Sequence, residues 1–213
     1  MHRRLPIYLL IDTSYSMVGE PIQAVQNGLD SLVTALRRDP QALETAYLSV
    51  IEFNSNAKQL EELKELIEFQ TPTLEVSGIT ALGEALSLLA DCIEREVLGS
   101  GRRDWRPMVF LFTDGMANDN LQRGIDALKR IKTATFVACA AGHHANIDEL
   151  LKITETVVKL DETDSSSISA FFKWVSASIS ISSQKVERGQ EANGFDDLPT
   201  PPPEVNIIDL TKH

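Results

Sequence analysis

The chain has 213 residues, 43% of them hydrophobic, and a formal net charge of −11 from 31 acidic and 20 basic side chains. This length and hydrophobic content suit one domain with a sizeable core plus a tail, and they disfavour two compact domains. The acidic excess disfavours broad binding to nucleic acid or to an anionic membrane, and it suits attraction of cations or basic protein surfaces.

The N-terminus is basic over Met1 to Arg4 and then continues into a short apolar run. That run, Leu5 to Ile11, is interrupted by Asp12 and is too short for a signal peptide or a membrane-spanning helix. We therefore expect a cytoplasmic protein without a membrane span. The same run has the composition of a buried strand, which ends at Asp12.

Strand-like apolar runs alternate with helical periodicity along most of the chain, which is typical of βαβ units and a mostly parallel sheet. Six strands are predicted, at Pro6–Asp12, Ala46–Phe53, Lys58–Leu63, Met108–Asp114, Thr135–Ala141 and Thr156–Leu160. The turn-rich Asn54-Ser55-Asn56 predicts a hairpin between the second and third strands. Helices are predicted at Ile22–Leu36, Ala81–Leu98, Asn120–Ile131, Asn146–Ile153 and Ser166–Ile181.

The last 30 residues differ in composition from the rest of the chain. Residues 184–213 are polar and contain four prolines, and they lack the apolar content for a core of their own. Two interpretations remain open: a disordered tail, and a docking peptide in which the prolines extend the chain and Ile207, Ile208 and Leu210 serve as anchors. We predict one domain over residues 1–183 and a tail over residues 184–213.

The two cysteines lie within apolar patterns. Cys92 falls in a predicted helix and Cys139 in a predicted strand. Reduced core thiols are favoured over a disulfide, and the spacing does not indicate a zinc site.

Oxygen donors follow the first predicted strand at alternating positions. Asp12 ends the strand, and the hydroxyls of Ser14 and Ser16 come next. Mg²⁺ prefers such hard oxygen ligands and keeps some of its water. Open α/β sheets bind ligands at the carboxyl ends of their strands. The pattern therefore predicts a site for a hard divalent cation.

Two further segments are expected to meet this loop. The fourth predicted strand also ends in an aspartate, Asp114, and neighbouring parallel strands would place it close to Asp12. Two carboxylates there repel each other unless a cation sits between them. Thr80 lies at the start of a predicted helix, and two roles remain open for its hydroxyl: capping backbone amides or facing the metal.

Taken together, Asp-x-Ser-x-Ser, a distant Thr and a distant Asp resemble the von Willebrand factor A domain with its metal-ion-dependent adhesion site (MIDAS). In this sequence the pattern falls on Asp12, Ser14, Ser16, Thr80 and Asp114. The resemblance extends from the first predicted strand to the last predicted helix. It implies an α/β, Rossmann-like fold with a central, mostly parallel six-stranded sheet, one antiparallel edge strand and helices on both faces.

The resemblance also implies how a cation is held. Ser14 and Ser16 would bind it directly. Thr80 would bind it directly or through water, and Asp12 and Asp114 mainly through water. The remaining position would take a Glu or Asp from a partner protein, so that the cation, Mg²⁺ with Mn²⁺ or Ca²⁺ as alternatives, bridges two proteins. The implied function is a non-enzymatic, metal-dependent protein–protein interaction module.

Three segments resemble more narrowly the bacterial tellurium-resistance members of this family, of the TerY type: Arg3 to Ser14, Gly19 to Ile22 and Thr80 to Leu86. This narrower resemblance implies a role in tellurite and stress response, with a Ser/Thr kinase or phosphatase of the same system as a partner. Tyr15 and Ile79 depart from the commoner bacterial pattern, which frequently has glycine there. Neither change removes a donor oxygen.

A metal-dependent, phosphatase-like enzyme is the alternative function. Phosphatases that form an aspartyl phosphate also place an aspartate, here Asp12, at the end of the first strand beside a metal. They need a second carboxylate two residues later, where this chain has Ser14. No lysine beside the motif is available to hold a phosphate. We therefore expect no enzymatic activity.

Overall fold

A seven-stranded sheet forms the centre of the fold in the computed structural model, which describes residues 3–192, 194 and 197–208. The strands are β1 (Leu5–Asp12), β2 (Ala46–Phe53), β3 (Ala57–Glu65), β4 (Met108–Thr113), β5 (Thr135–Ala141), β6 (Thr156–Leu160) and β7 (Asn206–Ile208). Their order is β3-β2-β1-β4-β5-β6-β7. The two edge strands, β3 and β7, run antiparallel to their neighbours, and the inner strands are parallel.

Helices cover both faces of the sheet. They are α1 (Glu20–Arg37), α2 (Pro40–Thr45), α3 (Leu82–Glu96), α4 (Leu121–Leu128), α5 (Ile147–Leu151) and α6 (Ser165–Glu187). One apolar cluster joins the sheet to α1, α2 and α6, and a second joins the opposite face to α3, α4 and α5. The predicted α/β class, with a mostly parallel sheet between two helical layers, is confirmed.

β1 explains why the metal motif begins where it does. All of its residues are buried, and successive side chains enter opposite clusters, with Leu9 and Ile11 on one side and Tyr8 and Leu10 on the other. A strand covered on both faces has no polar alternation, so its sequence is a continuous apolar run. Asp12, the last residue of β1, is therefore the only charged side chain in the strand.

The number of strands differs from the prediction of six with one antiparallel edge. β7 is a seventh strand and a second antiparallel edge. It pairs with β6 through Val157–Ile208, Val158–Ile207 and Lys159–Asn206. A segment of three residues after several prolines is too short to carry the alternating pattern that identifies a strand, so the pairing depends on the tertiary structure.

The tail packs on the domain where the structure describes it. Gly194 donates a backbone hydrogen bond of 2.9 Å to Ala134. The indole of Trp174, on α6, donates one of 2.8 Å to the carbonyl of Pro199. Val205 is only 4% exposed. The segment therefore runs along α6 before it joins the sheet as β7.

The predicted anchors of the tail are placed unevenly. Ile207 is 46% exposed and Ile208 is half-buried, although both belong to β7. Leu210 lies outside the described residues. The division into a domain over residues 1–183 and a tail over residues 184–213 stays a prediction, and α6 runs past that boundary to its end at residue 187.

Both cysteines lie in the core. Cys92 and Cys139 are buried and free, as predicted for reduced thiols. Across residues 3–192, 194 and 197–208, no helix has the length and apolar character needed to cross a membrane.

Candidate metal centre

Three loops meet at the carboxyl edge of the sheet: those after β1 and β4 and the one before α3. β1 and β4 are parallel neighbours, paired from Ile7–Met108 to Ile11–Phe112. Asp12 and Asp114 therefore leave the sheet side by side. Both carboxylates are buried, at 0% and 8% exposure, which makes their mutual repulsion costly without a cation.

Ser16 connects the β1 loop to the β4 loop. Its hydroxyl donates a hydrogen bond of 2.7 Å to Asp114 Oδ1 and lies 3.0 Å from Ser14 Oγ. In an octahedral Mg²⁺ shell of radius about 2.1 Å, neighbouring ligand oxygens are roughly 3 Å apart. The Ser14 and Ser16 hydroxyls thus already have the spacing of two adjacent ligands around one small cation, and the Asp114 carboxylate accepts a hydrogen bond from one of them.

The oxygens of Thr80 and Asp12 border the same small space beside Gly115. A Cβ built on Gly115 would lie 3.2 Å from Thr80 Oγ1 and 3.9 Å from Asp12 Oδ2. Asn118 fixes the backbone of Thr80, since it donates to the Thr80 carbonyl at 2.9 Å and accepts from the Thr80 amide at 3.0 Å. The glycine therefore keeps open a space that two of the predicted ligands face.

Asp119, and not Thr80, caps the first turn of α3. Its carboxylate accepts hydrogen bonds from the amides of Gly83 at 2.9 Å and Glu84 at 2.7 Å. Of the two roles left open for Thr80, capping is therefore filled by another residue. The Thr80 hydroxyl instead faces the space beside Gly115 that Asp12 also borders.

Asp12 is oriented from both sides. The amide of Ser14 donates to Oδ1 at 2.9 Å, and the hydroxyl of Thr113 donates to Oδ2 at 2.5 Å. Burial raises the pKa of Asp12 to about 6, and the charge of Asp114 adds to the rise, although the two hydrogen-bond donors oppose it. A cation at this edge would stabilise the ionised form that burial disfavours.

Asp114 lies in a similar environment. Burial raises its pKa, while the hydrogen bond from Ser16 and the electrostatic interaction with His144 lower it. His143 and His144 are both exposed on the β5–α5 loop. In the part of the chain that the structure describes, no three His, Cys, Asp or Glu side chains cluster to hold a metal. A cation at this edge would therefore be held by two carboxylates and by hydroxyls.

All five predicted ligands thus lie at one edge of the sheet: Asp12, Ser14, Ser16, Thr80 and Asp114. Their oxygen-only chemistry fits a hard divalent cation.

Sequence reasoning did not assign the supporting roles of Thr113 and Asn118. For Thr113 a signal was present, because it is the only hydroxyl residue in the β4 segment Met108–Thr113 and directly precedes Asp114. For Asn118 there was none, since its contact with Thr80 spans 38 residues.

A sequence model of the family described as von Willebrand factor type A domain matches residues 7–173. No curated protein sequence matches the chain at a significant level. Proximal thread matrix protein 1 (PTMP1) from the mussel byssus, solved with a zinc-occupied MIDAS motif, is 21% identical with a TM-score of 0.62, over 83% of this chain and 48% of that one.

Two bacterial structures share the same fold. A von Willebrand factor type A protein from Catenulispora acidiphila is 20% identical with a TM-score of 0.63, over 84% of this chain and 43% of that one. The pilus adhesin SpaC from Lactobacillus rhamnosus GG is 12% identical with a TM-score of 0.68, over 84% and 31%. In each of these three comparisons the match spans less than half of the solved chain.

Proposed function

This chain belongs to the von Willebrand factor type A domain family, and we propose that it is a non-enzymatic protein–protein interaction module whose divalent cation bridges to an acidic residue of a partner. One observation carries the proposal: oxygens from three separate loops converge at the carboxyl edge of the sheet, with the Ser14 and Ser16 hydroxyls at the spacing of adjacent ligands and Asp114 hydrogen-bonded to Ser16. Domains of this family mediate contacts between proteins, and the oxygen-only donor set suits that role.

The proposed roles are those that the resemblance to the family's metal site implies. Ser14 and Ser16 bind the cation directly, and Thr80 binds it directly or through water. Asp12 and Asp114 act mainly through water and neutralise its charge. With few direct carboxylate contacts the cation stays electrophilic, so the remaining position favours a Glu or Asp of the partner.

We propose Mg²⁺ as the cation, with Mn²⁺ or Ca²⁺ as alternatives. PTMP1 holds zinc at its MIDAS motif. The donors proposed here include no imidazole nitrogen or thiolate, the ligands that zinc sites in proteins commonly use. Hydroxyl, carboxylate and water oxygens are the ligands that Mg²⁺ prefers.

Manganese provides a direct test, because bound Mn²⁺ enhances the relaxation of water protons that exchange through its open positions. The chain is expected to bind Mn²⁺ with enhanced relaxation, and acetate is expected to reduce that enhancement in a saturable way as it displaces water. Ser14→Ala/Ser16→Ala should lose both effects and keep its circular dichroism spectrum. Unchanged Mn²⁺ binding in this variant would contradict the proposed ligands.

The interaction itself is tested with a partner in hand. Ser14→Ala/Ser16→Ala is expected to abolish pull-down of that partner, because removing one side of a desolvated metal–carboxylate contact costs roughly 2–5 kcal/mol. Binding that survives excess chelator would count against a metal bridge.

The phosphatase-like alternative has little support from the geometry around Asp12. Its carboxylate is fully buried, and both of its oxygens accept hydrogen bonds, from Ser14 and Thr113. A nucleophile of this kind needs access to its substrate and an acid–base partner beside it. Metal-dependent hydrolysis of p-nitrophenyl phosphate that is lost in Asp12→Asn would overturn the non-enzymatic proposal.

We further propose a cytoplasmic role in a bacterial tellurite and stress-response system, with a Ser/Thr kinase or phosphatase of that system as the partner. The support is the narrower resemblance of three segments to tellurium-resistance proteins of the TerY type. A host in which Ser16→Ala replaces the native residue is expected to grow less well on tellurite. Equal growth of the two strains would count against this assignment.

A further inference from the structure

Exposed apolar side chains surround the proposed metal site. Tyr15, Val18, Ile79 and Met116 are each more than half exposed, at 53–68%. Each lies within two residues of a proposed metal ligand. We call these four side chains the apolar rim.

The apolar rim contains a large share of the exposed hydrophobic surface. Seven large hydrophobic side chains are exposed among the described residues, and four of them belong to the rim. The other three are separate: Ile67 follows β3, Leu98 follows α3, and Ile207 lies on β7. Single exposed hydrophobic residues are ordinary, but a group around one site indicates a contact surface.

Hydrogen bonds between the loops hold the rim in place. The amide of Tyr15 donates to the carbonyl of Gly78 at 3.1 Å, directly before Ile79. The amide of Ile79 donates to Ser55 Oγ at 3.3 Å. The paired contacts between Asn118 and Thr80 tie the loop that carries Met116 to the same segment. A surface arranged before binding loses little conformational entropy when a partner docks.

Charge restricts the chemistry of the partner. The metal attracts one carboxylate, while the net charge of −11 opposes the approach of a strongly acidic surface. The neighbours of that carboxylate would rest on the apolar rim and gain from apolar burial there. Excluding water in this way also strengthens the contact between carboxylate and cation.

We propose that the apolar rim and the metal together recognise a protein loop in which a single Glu or Asp is flanked by large apolar side chains. This inference rests on the proposed function, because it assumes the metal bridge and specifies what surrounds it. The apolar rim provides the selectivity among acidic residues of possible partners. The cation attracts any carboxylate, whatever its neighbours.

Two acetylated, amidated pentapeptides test the inference on the full chain with saturating Mg²⁺: Gly-Leu-Glu-Phe-Gly and Gly-Ser-Glu-Ser-Gly. Binding is followed by NMR titration of the ¹⁵N-labelled protein, which detects weak ligands. The first peptide is expected to bind about tenfold more tightly, the gain from burying part of two apolar side chains. The shifted amides should lie in the loops that carry the rim.

Matched variants separate the rim from general surface hydrophobicity. Tyr15→Ser/Ile79→Ser/Met116→Ser is expected to bind both peptides within about twofold of each other, with unchanged Mg²⁺ affinity. Ile67→Ser/Leu98→Ser changes side chains of similar exposure near the amino ends of the parallel strands, away from the metal site. This variant should keep the tenfold preference.

Several outcomes would overturn the inference. Equal, Mg²⁺-dependent binding of both peptides to the native chain would refute the rim's role and leave the metal bridge standing. If the rim variant still bound the apolar peptide more tightly than the serine peptide, the rim's role would also be refuted and the metal bridge would stand. Binding of neither peptide, or binding unaffected by chelator, would contradict the metal bridge as well. Mg²⁺-dependent dimerisation that the rim variant loses would assign the surface to a second copy of the chain instead.

Discussion

The hydroxyl of Thr113 donates a hydrogen bond of 2.5 Å to Oδ2 of Asp12, and this contact joins the ends of β1 and β4 at the proposed metal site. Both residues are fully buried. The same hydroxyl accepts a hydrogen bond from the amide of Gly115 at 3.3 Å. Thr113 therefore positions both a carboxylate and the loop that follows β4.

Replacing this hydroxyl should weaken metal binding. Thr113→Val keeps the shape of the side chain but leaves one oxygen of Asp12 without its donor. We expect Mg²⁺ affinity to fall by roughly 10- to 100-fold, the usual effect of removing a residue that orients a metal ligand. Isothermal titration calorimetry measures the change. Thr113→Ser retains the donor and should bind within a few-fold of the native chain; equal losses in both variants would point to packing as the cause.

The stability of the metal-free protein should fall as pH rises, because the pKa of Asp12 is raised by folding. The pKa of Asp12 is about 6 in the folded chain, against 3.8 for an ordinary aspartate. Between these values the folded state binds more protons than the unfolded state, so the metal-free protein loses stability as pH rises through this window. The full loss, complete above the folded pKa, is roughly 3 kcal/mol.

Thermal unfolding with chelator at about pH 5 and about pH 7.5 measures roughly half of this loss, because the other half occurs below pH 5. Asp12→Asn removes the titrating carboxyl group and serves as the reference. The Tm of the native chain should fall further than that of this variant as pH rises. Saturating Mg²⁺ should raise the Tm of the native chain more at the higher pH, because the cation needs the ionised carboxylate. A Mg²⁺ effect that is equal at both pH values would show that Asp12 does not titrate in this range.

A methyl group at residue 115 should block the metal and spare the fold. Gly115 has no positive φ, so alanine is free of backbone strain there. Its Cβ would lie 3.2 Å from Thr80 Oγ1, inside the space that the proposed ligands face. We expect Gly115→Ala to lose at least tenfold in Mg²⁺ affinity, and its metal-free stability to change by about 0.5 kcal/mol or less.

Gly78→Ala provides the contrast to that variant. Gly78 has a φ of +64°, and an added Cβ would lie 2.0 Å from Ser55 Oγ. Alanine there should cost about 1 kcal/mol or more of stability even without metal. Calorimetric titration together with thermal unfolding separates the two effects. If Gly115→Ala lost as much metal-free stability as Gly78→Ala, its role would be structural.

An element or site residue could be predicted from the sequence where its signal lies within a few neighbouring residues, and not where it depends on contacts distant in the chain. The bounds of β2, β5 and β6 match the prediction, because inner strands buried on both faces give continuous apolar runs. Four of the five proposed ligands were predicted because hydroxyls and carboxylates stand out just after such runs, and Thr80 was predicted from its place at the start of a helix. The short helix α2 at Pro40–Thr45 was not predicted, since six residues after a proline carry too little periodicity. β7 was missed for the same reason, and its pairing depends on how the tail crosses α6.

The tail should stabilise the domain, and truncation tests this. Ending the chain after Gln190 removes the buried side chain of Val205, the pairing of β7 and the Pro199 carbonyl that accepts from Trp174. We expect the free energy of unfolding to fall by roughly 2–4 kcal/mol. In a Trp105→Phe background, the fluorescence of Trp174 should shift to longer wavelength as water reaches the indole.

A point variant separates burial from the mere presence of the tail. Ile207→Ser changes a side chain that is 46% exposed and should alter stability by about 0.5 kcal/mol or less, whereas Val205→Ser should reproduce much of the truncation. Mg²⁺ affinity should stay unchanged in all three proteins, because the proposed ligands lie on the loops after β1 and β4 and before α3. A truncated chain with native stability would mean that the tail only rests on α6 and β6, and a truncated chain with altered Mg²⁺ affinity would couple the tail to the metal edge.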